Sequence, residues 1–285
     1  MQLFHAIYPL QQSLAEHRRD GHRIAVVPTM GGLHAGHIAL IHEAKQHADI
    51  VVATIFVNPL QFGANEDLAR YPRTLDADRQ KLEAAGCDLL FVPDVATLYP
   101  KGLEELTQVH VPTVSEELCG ARRPGHFDGV STVVSLIFHI TLPDVACFGE
   151  KDFQQLAVIR KMVRDLHFNI EIIGVPTVRN EDGLALSSRN GYLSHAEYKM
   201  ASLLYHTLQH LKARLEDGAL PGEVIQEGLE ALIAHGFKPD YLELRRASDL
   251  GSINQSTQDS VLLVAAHLGT TRLIDNIRVA LPVNI

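Results

Sequence analysis

The stretch PTMGGLHAGH, residues 28–37, sets two histidines three apart behind a pair of glycines, directly after the apolar run RIAVV. A strand that runs into a glycine turn and then a helix exposes backbone N–H groups at the positive end of the helix dipole, where anions are favoured. His34 and His37 add two imidazole donors, suited to oxygens that gain charge as a pyrophosphate departs. Gly36 between them leaves room for a nucleotide to approach the backbone. The stretch is neither the GxxxxGKS/T phosphate loop nor the GxGxxG fingerprint. Two further readings stay open: a metal pair, which lacks the glutamate of HExxH and a third ligand nearby in sequence, and a plain strand-to-helix turn. A second donor set is LALSSRN, residues 184–190, where two hydroxyls and the planar fork of Arg189 match phosphate oxygens. Alone, that string is equally an exposed loop.

Elements able to position such groups recur along the chain. RIAVVPT, DIVVATIFV, DLLFVP, DVACFGE and IEIIGVPTV are near-continuous apolar runs rich in β-branched residues, as in parallel strands covered on both faces. Between them AGHIALIHEAKQHA, LDADRQKLEAAG (ending at a Gly86 cap), GVSTVVSLIFHI and FQQLAVIRKMVRDL read as helices. Alternation of this kind implies right-handed βαβ crossovers and a Rossmann-like α/β domain. FGEKD then falls at the carboxyl end of a strand, the edge where open α/β sheets bind ligands. After about residue 176 the pattern changes to two helical stretches, near 195–216 and 222–235, followed by YLELR, VLLVAAHLG and TRLIDNIRV, the last two joined as a hairpin. The expected division is residues 1–176, a Rossmann-like domain, and residues 177–285, a smaller α+β domain.

Bulk properties narrow the partners. The 285 residues are 46% hydrophobic, enough for a sizeable core. A formal net charge of −9 argues against holding nucleic acid by bulk electrostatics, so any polyanion handled is small and met by local donors. Cys87, Cys119 and Cys147 have no CxxC pairing and read as buried thiols. The N-terminal segment has no continuous apolar h-region, and no run approaches a membrane span, so a cytoplasmic protein is expected.

In order, PTMGGLHAGH, FVNPLQF, YPRTLDAD, RPGHFDGVSTVV, FGEKDFQQL and SSRN resemble the pantoate–β-alanine ligase family of the HxGH nucleotidyltransferase superfamily. The resemblance runs over nearly the whole first domain and into the second; it implies that residues 1–176 bind ATP and pantoate and that residues 177–285 act as a lid over the ATP site, with structural support as the competing reading. It also implies a two-step ligation that makes pantothenate, on the route to coenzyme A. ATP adenylates the carboxylate of (R)-pantoate and releases pyrophosphate, and the amine of β-alanine then displaces AMP. On matching positions it implies ATP contacts from Met30, Gly31, Gly32, Leu33, His34, Ala35, Gly36 and His37. His34, His37 and Lys151 become the catalytic groups, with His37 in the place of the family's proton donor. Gly149, Glu150, Lys151, Asp152, Val178, Leu186, Ser187, Ser188 and Arg189 also face ATP. Gln61 takes pantoate and borders the β-alanine site, and Gln155 holds pantoate from the other side. The implied cofactor is magnesium carried on the ATP phosphates, with few protein ligands, and the implied assembly is a homodimer. Gly32, Ala35 and Leu186 depart from the family's usual alanine, glutamate and methionine; the last exchange keeps the bulk against adenine.

Other candidates have ordinary explanations beside functional ones. Asp76 and Asp78 could organise magnesium, but i, i+2 spacing on a helix parts them, so both are expected as surface acids. Arg122 and Arg123 could reach phosphate or pantoate, or belong to a solvated loop. Asn58 reads equally as a turn former and a site residue, and His126 has no assigned role. Two rival functions remain: a nucleotidyltransferase that stops at a nucleotidylated product, and a nucleotide-binding regulator without turnover. A slot formed by Gln61 and Gln155 favours the ligase, since simple nucleotidyl transfer needs no acid-binding carboxamides.

Overall fold

The computed structural model describes residues 1–64 and 66–282. Six strands form one parallel sheet: β1 Gln2–Phe4, β2 Ile24–Thr29, β3 Ile50–Ile55, β4 Leu89–Phe91, β5 Val145–Gly149 and β6 Glu171–Val175, in the order β1-β4-β3-β2-β5-β6. Residues alternate across it. Ile24, Val26, Val52 and Phe148 pack with α1 Ile7–Arg19, α6 His126–Thr141 and α7 Phe153–Asp165. Ala25, Val27, Val51 and Cys147 pack with α2 Ala35–His47 and α3 Leu75–Ala84 on the other face. Burial on both faces explains why these strands read as unbroken apolar runs. Short helices α4 Val95–Leu98 and α5 Cys119–Arg122 lie in the long connection from β4 to α6.

From β2 the chain steps to β3 and β4 on one side, then returns to place β5 and β6 on the other. The order therefore reverses between β2 and β5, and a crevice opens at their carboxyl ends. Residues 30–37 follow β2, and residues 150–152 follow β5, so the topology alone brings HAGH and GEKD together.

Beyond β6 come α8 His195–Ala201, α9 Leu203–Glu216 and α10 Pro221–Ala234, then the antiparallel sheet β7 Lys238–Arg246, β8 Asp259–Leu268 and β9 Thr271–Ala280. The single helix expected near 195–216 is two, parted at Ser202, whose hydroxyl donates back to the Lys199 carbonyl (3.1 Å). Leu262, Val264 and Ala266 of β8 pack on α9 and α10, while Val261 and Leu263 enter the core of the parallel domain. The small sheet is thus clamped between its own helices and the large domain. β1 and α1 were not anticipated from sequence: β1 is a three-residue strand, and Pro9 in α1 obscures its period.

Candidate active site

Residues 30–37 do not form an open backbone cradle. Gly31 and Gly32 adopt φ of +83° and +62°, the left-handed region that glycine tolerates. This bend turns N–H groups inward. Gly31 N–H donates to Thr29 Oγ1 (3.2 Å), and those of Gly32 and Leu33 to Asp78 Oδ2 and Oδ1 (2.9 and 2.8 Å). The anion expected at this turn is already present, as a carboxylate of the protein.

Asp78 is therefore not a surface acid: it is fully buried, whereas Asp76 is exposed. Leu75, Asp78 and Leu82 share the i, i+3, i+7 face of α3 that turns inward. That spacing was the missed signal. Buried charge requires such partners, and each charge-assisted bond contributes about 1.5–3 kcal/mol. Thr74 Oγ1 supplies a third donor to Asp78 (3.1 Å), and Lys81 Nζ donates to the Leu33 carbonyl (2.6 Å).

The histidines cap the helix they begin. Gly36 N–H donates to His34 Nδ1 (3.1 Å), and His34 N–H to His37 Nδ1 (3.3 Å), a reciprocal capping box. A ring nitrogen that accepts an N–H carries no proton, so both neutral imidazoles hold theirs on Nε2. Burial, and for His34 then the Lys151 charge, pushes its pKa down to about 4. Burial and then His34 push His37 down to about 3. The rings lie 4.2 Å apart between centroids and both line the crevice.

Gln61 faces them from a single turn, Pro59–Gln61. Gly129 permits this, because a Cβ there would stand 2.6 Å from the Leu60 carbonyl. Asn58 is buried and fully engaged: its Nδ2 donates to Gly129 O (3.0 Å) and Gln61 Oε1 (3.3 Å), and its Oδ1 accepts from Tyr99 (2.8 Å). Gln61 Nε2 is left as the donor end, at 3.0 Å from Met30 Sδ. The main chain of Gln61 is also fixed, since its carbonyl accepts from His126 Nδ1 (2.8 Å). Arg123 donates to His126 Nε2 (2.9 Å) and grips Glu66 with two bonds (2.6 and 2.7 Å). Burial and the Arg123 charge push His126 to about 4. The residue left unassigned from sequence and the arginine of the supposed solvated loop are thus both parts of the Gln61 mount. Arg122 is exposed and reaches the Asp240 carbonyl (2.9 Å).

Gln155 lines the crevice, while neighbouring Gln154 turns away to Cys119 N–H (3.0 Å) and the Val114 carbonyl (2.9 Å). Asn276 of β9 donates to the carbonyls of Glu150 and Lys151 (2.9 and 3.0 Å), so the small domain holds the turn that carries Lys151. Opposite, Ser188 donates to the Gly32 carbonyl (2.9 Å). Arg189 is engaged by Asp67 through two bonds (2.9 and 2.8 Å), and Tyr192 donates to the same carboxylate (3.0 Å).

Of the residues singled out in sequence, Met30, His34, Gly36, His37, Gln61, Gly149, Lys151, Asp152, Gln155, Val178, Leu186, Ser187, Ser188 and Arg189 line one crevice of ≈ 210 Å³. Gly31, Gly32, Leu33 and Ala35 shape its backbone without lining it, and the Glu150 carboxylate lies beside Arg160 against Gly174. The floor is apolar, from Val130, Val133, Val134 and Ile137 of α6 with Phe56 and Phe148. A second limb of ≈ 360 Å³ shares Lys151, Asp152, Ser187 and Arg189 and extends to the antiparallel sheet, where Asp240, His267 and Arg272 line it. The first limb alone is smaller than the roughly 300–1,000 Å³ of ordinary ligand pockets; joined, the two suit a nucleotide beside a small acid. Cys87, Cys119 and Cys147 are all buried. Among the described residues no group of three or more His, Cys, Asp or Glu side chains is gathered for a metal, and no helix is long and apolar enough to cross a membrane.

The family model described as pantoate-beta-alanine ligase matches residues 2–278. The chain is 65% identical to a pantothenate synthetase of Chromohalobacter salexigens and 59% identical to one of Stutzerimonas stutzeri, with 96% of each chain covered in both cases. Its fold matches the crystal structure of pantothenate synthetase from Thermus thermophilus with a TM-score of 0.91 at 45% identity, over 97% of this chain and 99% of that one. It also matches a pantoate-beta-alanine ligase from Francisella tularensis, solved in complex with beta-gamma ATP and beta-alanine, with a TM-score of 0.81 at 34% identity and 97% of each chain covered.

Proposed function

The chain belongs to the pantoate–β-alanine ligase family, and from that premise we propose how its own residues perform the ATP-dependent condensation of (R)-pantoate with β-alanine. The observation that carries the reading is the meeting of His34, His37, Lys151, Gln61 and Gln155 in one crevice. A pantoate carboxylate oxygen attacks the α-phosphorus of ATP, and the bond to the β-phosphate oxygen breaks. Pyrophosphate leaves with the electron pair, and pantoyl adenylate remains. The uncharged amine of β-alanine then attacks the acyl carbon, the acyl–oxygen bond breaks with its electron pair staying on AMP, and the nitrogen gives a proton to solvent as pantothenate forms.

Gln61 Nε2, aimed by Asn58, donates to pantoate without repelling its carboxylate, and Gln155 closes the other side. The apolar floor of α6 receives the dimethyl carbon of pantoate and keeps water from the hydrolysable adenylate. Met30, Gly149, Val178 and residues 186–189 border ATP, and Lys151 gives a point charge to its phosphates. His34 and His37 stabilise departing pyrophosphate as neutral Nε2–H donors. In this reading His37 donates a hydrogen bond rather than a proton, because a neutral imidazole that gave up its Nε2 proton would become an anion.

Magnesium would come on the ATP phosphates and neutralise their charge. Asp152 fits such an ion, since it borders both limbs and has no ion pair among the described residues, whereas Glu66, Asp67, Asp240 and Asp275 are paired with arginines. The division into an ATP- and pantoate-binding unit 1–176 and a covering unit 177–285, cytoplasmic location and a homodimer belong to the same proposal. Light scattering of the purified protein tests the last.

The assay mixes protein, ATP, magnesium and pantoate, then adds β-alanine, and follows pyrophosphate and AMP. Pyrophosphate with pantoate alone, and free AMP only after β-alanine, is the expected order. Absence of AMP under every condition would overturn the ligase reading and leave nucleotidyl transfer or regulation.

A further inference from the structure

We infer that Asp78 is a positioning residue for adenylation, acting through the turn that presents His34 and His37. The inference rests on the ATP-site reading above. Asp78 is fully buried and lies behind the turn, outside the crevice lining. Its two oxygens take the N–H groups of Gly32 and Leu33, the residues immediately before His34.

Those two bonds have a chemical consequence. A glycine turn at a helix start ordinarily offers its free N–H groups to a phosphate. Here the carboxylate takes them from behind, and two successive left-handed residues are held in place by the contact. Phosphate recognition is thereby moved from the backbone to the Nε2–H groups on the open side. The same peptides are gripped from two other directions: Lys81 Nζ donates to the Leu33 carbonyl, and Ser188 to the Gly32 carbonyl. Asp78 thus sets where the first imidazole stands and, through the Gly32 peptide, where the SSRN turn rests.

Asp78→Asn keeps the volume but replaces one acceptor by an N–H₂ group that opposes a backbone N–H. Misplacement on the scale of 1 Å costs roughly 10²-fold in rate, so pantoate-dependent ATP–pyrophosphate exchange should fall about 10²-fold in kcat while the KM for pantoate stays unchanged. The imidazole ¹⁵N signals of His34 and His37 should shift in the ligand-free variant, and those of His126 should not. A merely structural role would lower the melting temperature without this split. Wild-type exchange in a folded Asp78→Asn, or an equal loss of pantoate affinity, overturns the inference. Should that variant not fold, Lys81→Met decides: the inference requires slower exchange at unchanged pantoate KM, and wild-type exchange contradicts it. If the wild-type protein shows no pantoate-dependent exchange while the ¹⁵N shifts appear, the functional reading fails and the positioning role stands.

Discussion

The two donor loops that face each other across the crevice are built on opposite plans. In residues 30–37 the N–H groups of Gly31, Gly32, Leu33, His34 and Gly36 are absorbed by Thr29, Asp78 and the two imidazoles, leaving the Nε2–H pair for a ligand. In residues 186–192 the strongest donor is already committed, because Arg189 and Tyr192 both bind Asp67. The first loop is ready before ATP arrives. If Arg189 is to meet ATP as proposed, the second loop has to exchange a protein carboxylate for a phosphate, at a cost in affinity set by the partner it gives up.

Breaking the ready loop should cost most. Removal of a preorganised donor to a developing oxyanion costs about 10²–10³-fold in kcat, so His37→Ala should lose adenylation on that scale with a normal circular-dichroism spectrum. Gln61→Ala should do the same through loss of the pantoate donor. Wild-type exchange rates in either would contradict the roles proposed for them. Next in size is Asn276→Ala, which releases the carbonyls of Glu150 and Lys151. A positional loss of about ten-fold in kcat is expected, below the roughly 10² of a full 1 Å misplacement, and stopped-flow single-turnover adenylation reads it directly.

The exchangeable loop should respond in the opposite direction. Asp67→Asn weakens the hold on Arg189 and removes a competitor for it, so ATP should bind a few-fold tighter by titration calorimetry, within the roughly 1.5–3 kcal/mol of a charge-assisted contact. Weaker ATP binding would show that Asp67 instead orients Arg189 for the phosphate.

The smallest effect is a slope with pH. His34, His37 and His126 all have folded-state pKa values below the ordinary 6.5. Below that value the unfolded chain takes up protons that the native rings refuse, so this contribution to stability is complete above 6.5 and lost as pH falls toward about 4 and about 3. His110 opposes the trend, since Asp128 raises its pKa. Urea midpoints measured down the acid limb should decline, and a flat or rising limb would contradict the burial of these rings.

Much of this was legible in the chain because the parallel strands and the HxGH and SSRN strings are local patterns. The sheet follows from the strand runs, whereas most of the residues that line the crevice were reached only through the family resemblance that those strings carry. What stayed hidden depends on pairs far apart in sequence: Asp78 with Gly32, Asn276 with Lys151, Asp67 with Arg189 and His126 with Gln61. Asp78 did leave a trace in its i, i+3, i+7 spacing with Leu75 and Leu82, but a carboxylate on an apolar face discloses only that it has a partner, not which one. The N–H cradle inferred for the turn failed for the same reason, since the group that fills it lies on another helix.

The two histidines of the ready loop, as proposed, are neutral Nε2–H donors before substrate binds and enter the reaction in that form. Imidazole ¹⁵N spectra of histidine-labelled protein, titrated from about pH 8 to about pH 5 across the ordinary histidine range, test it directly. The expected spectra show protonated Nε2 and bare Nδ1 for His34 and His37, the reverse tautomer for His126, and no titration of the three across that range. A His37 that titrates near 6.5, or that carries its proton on Nδ1, would contradict it.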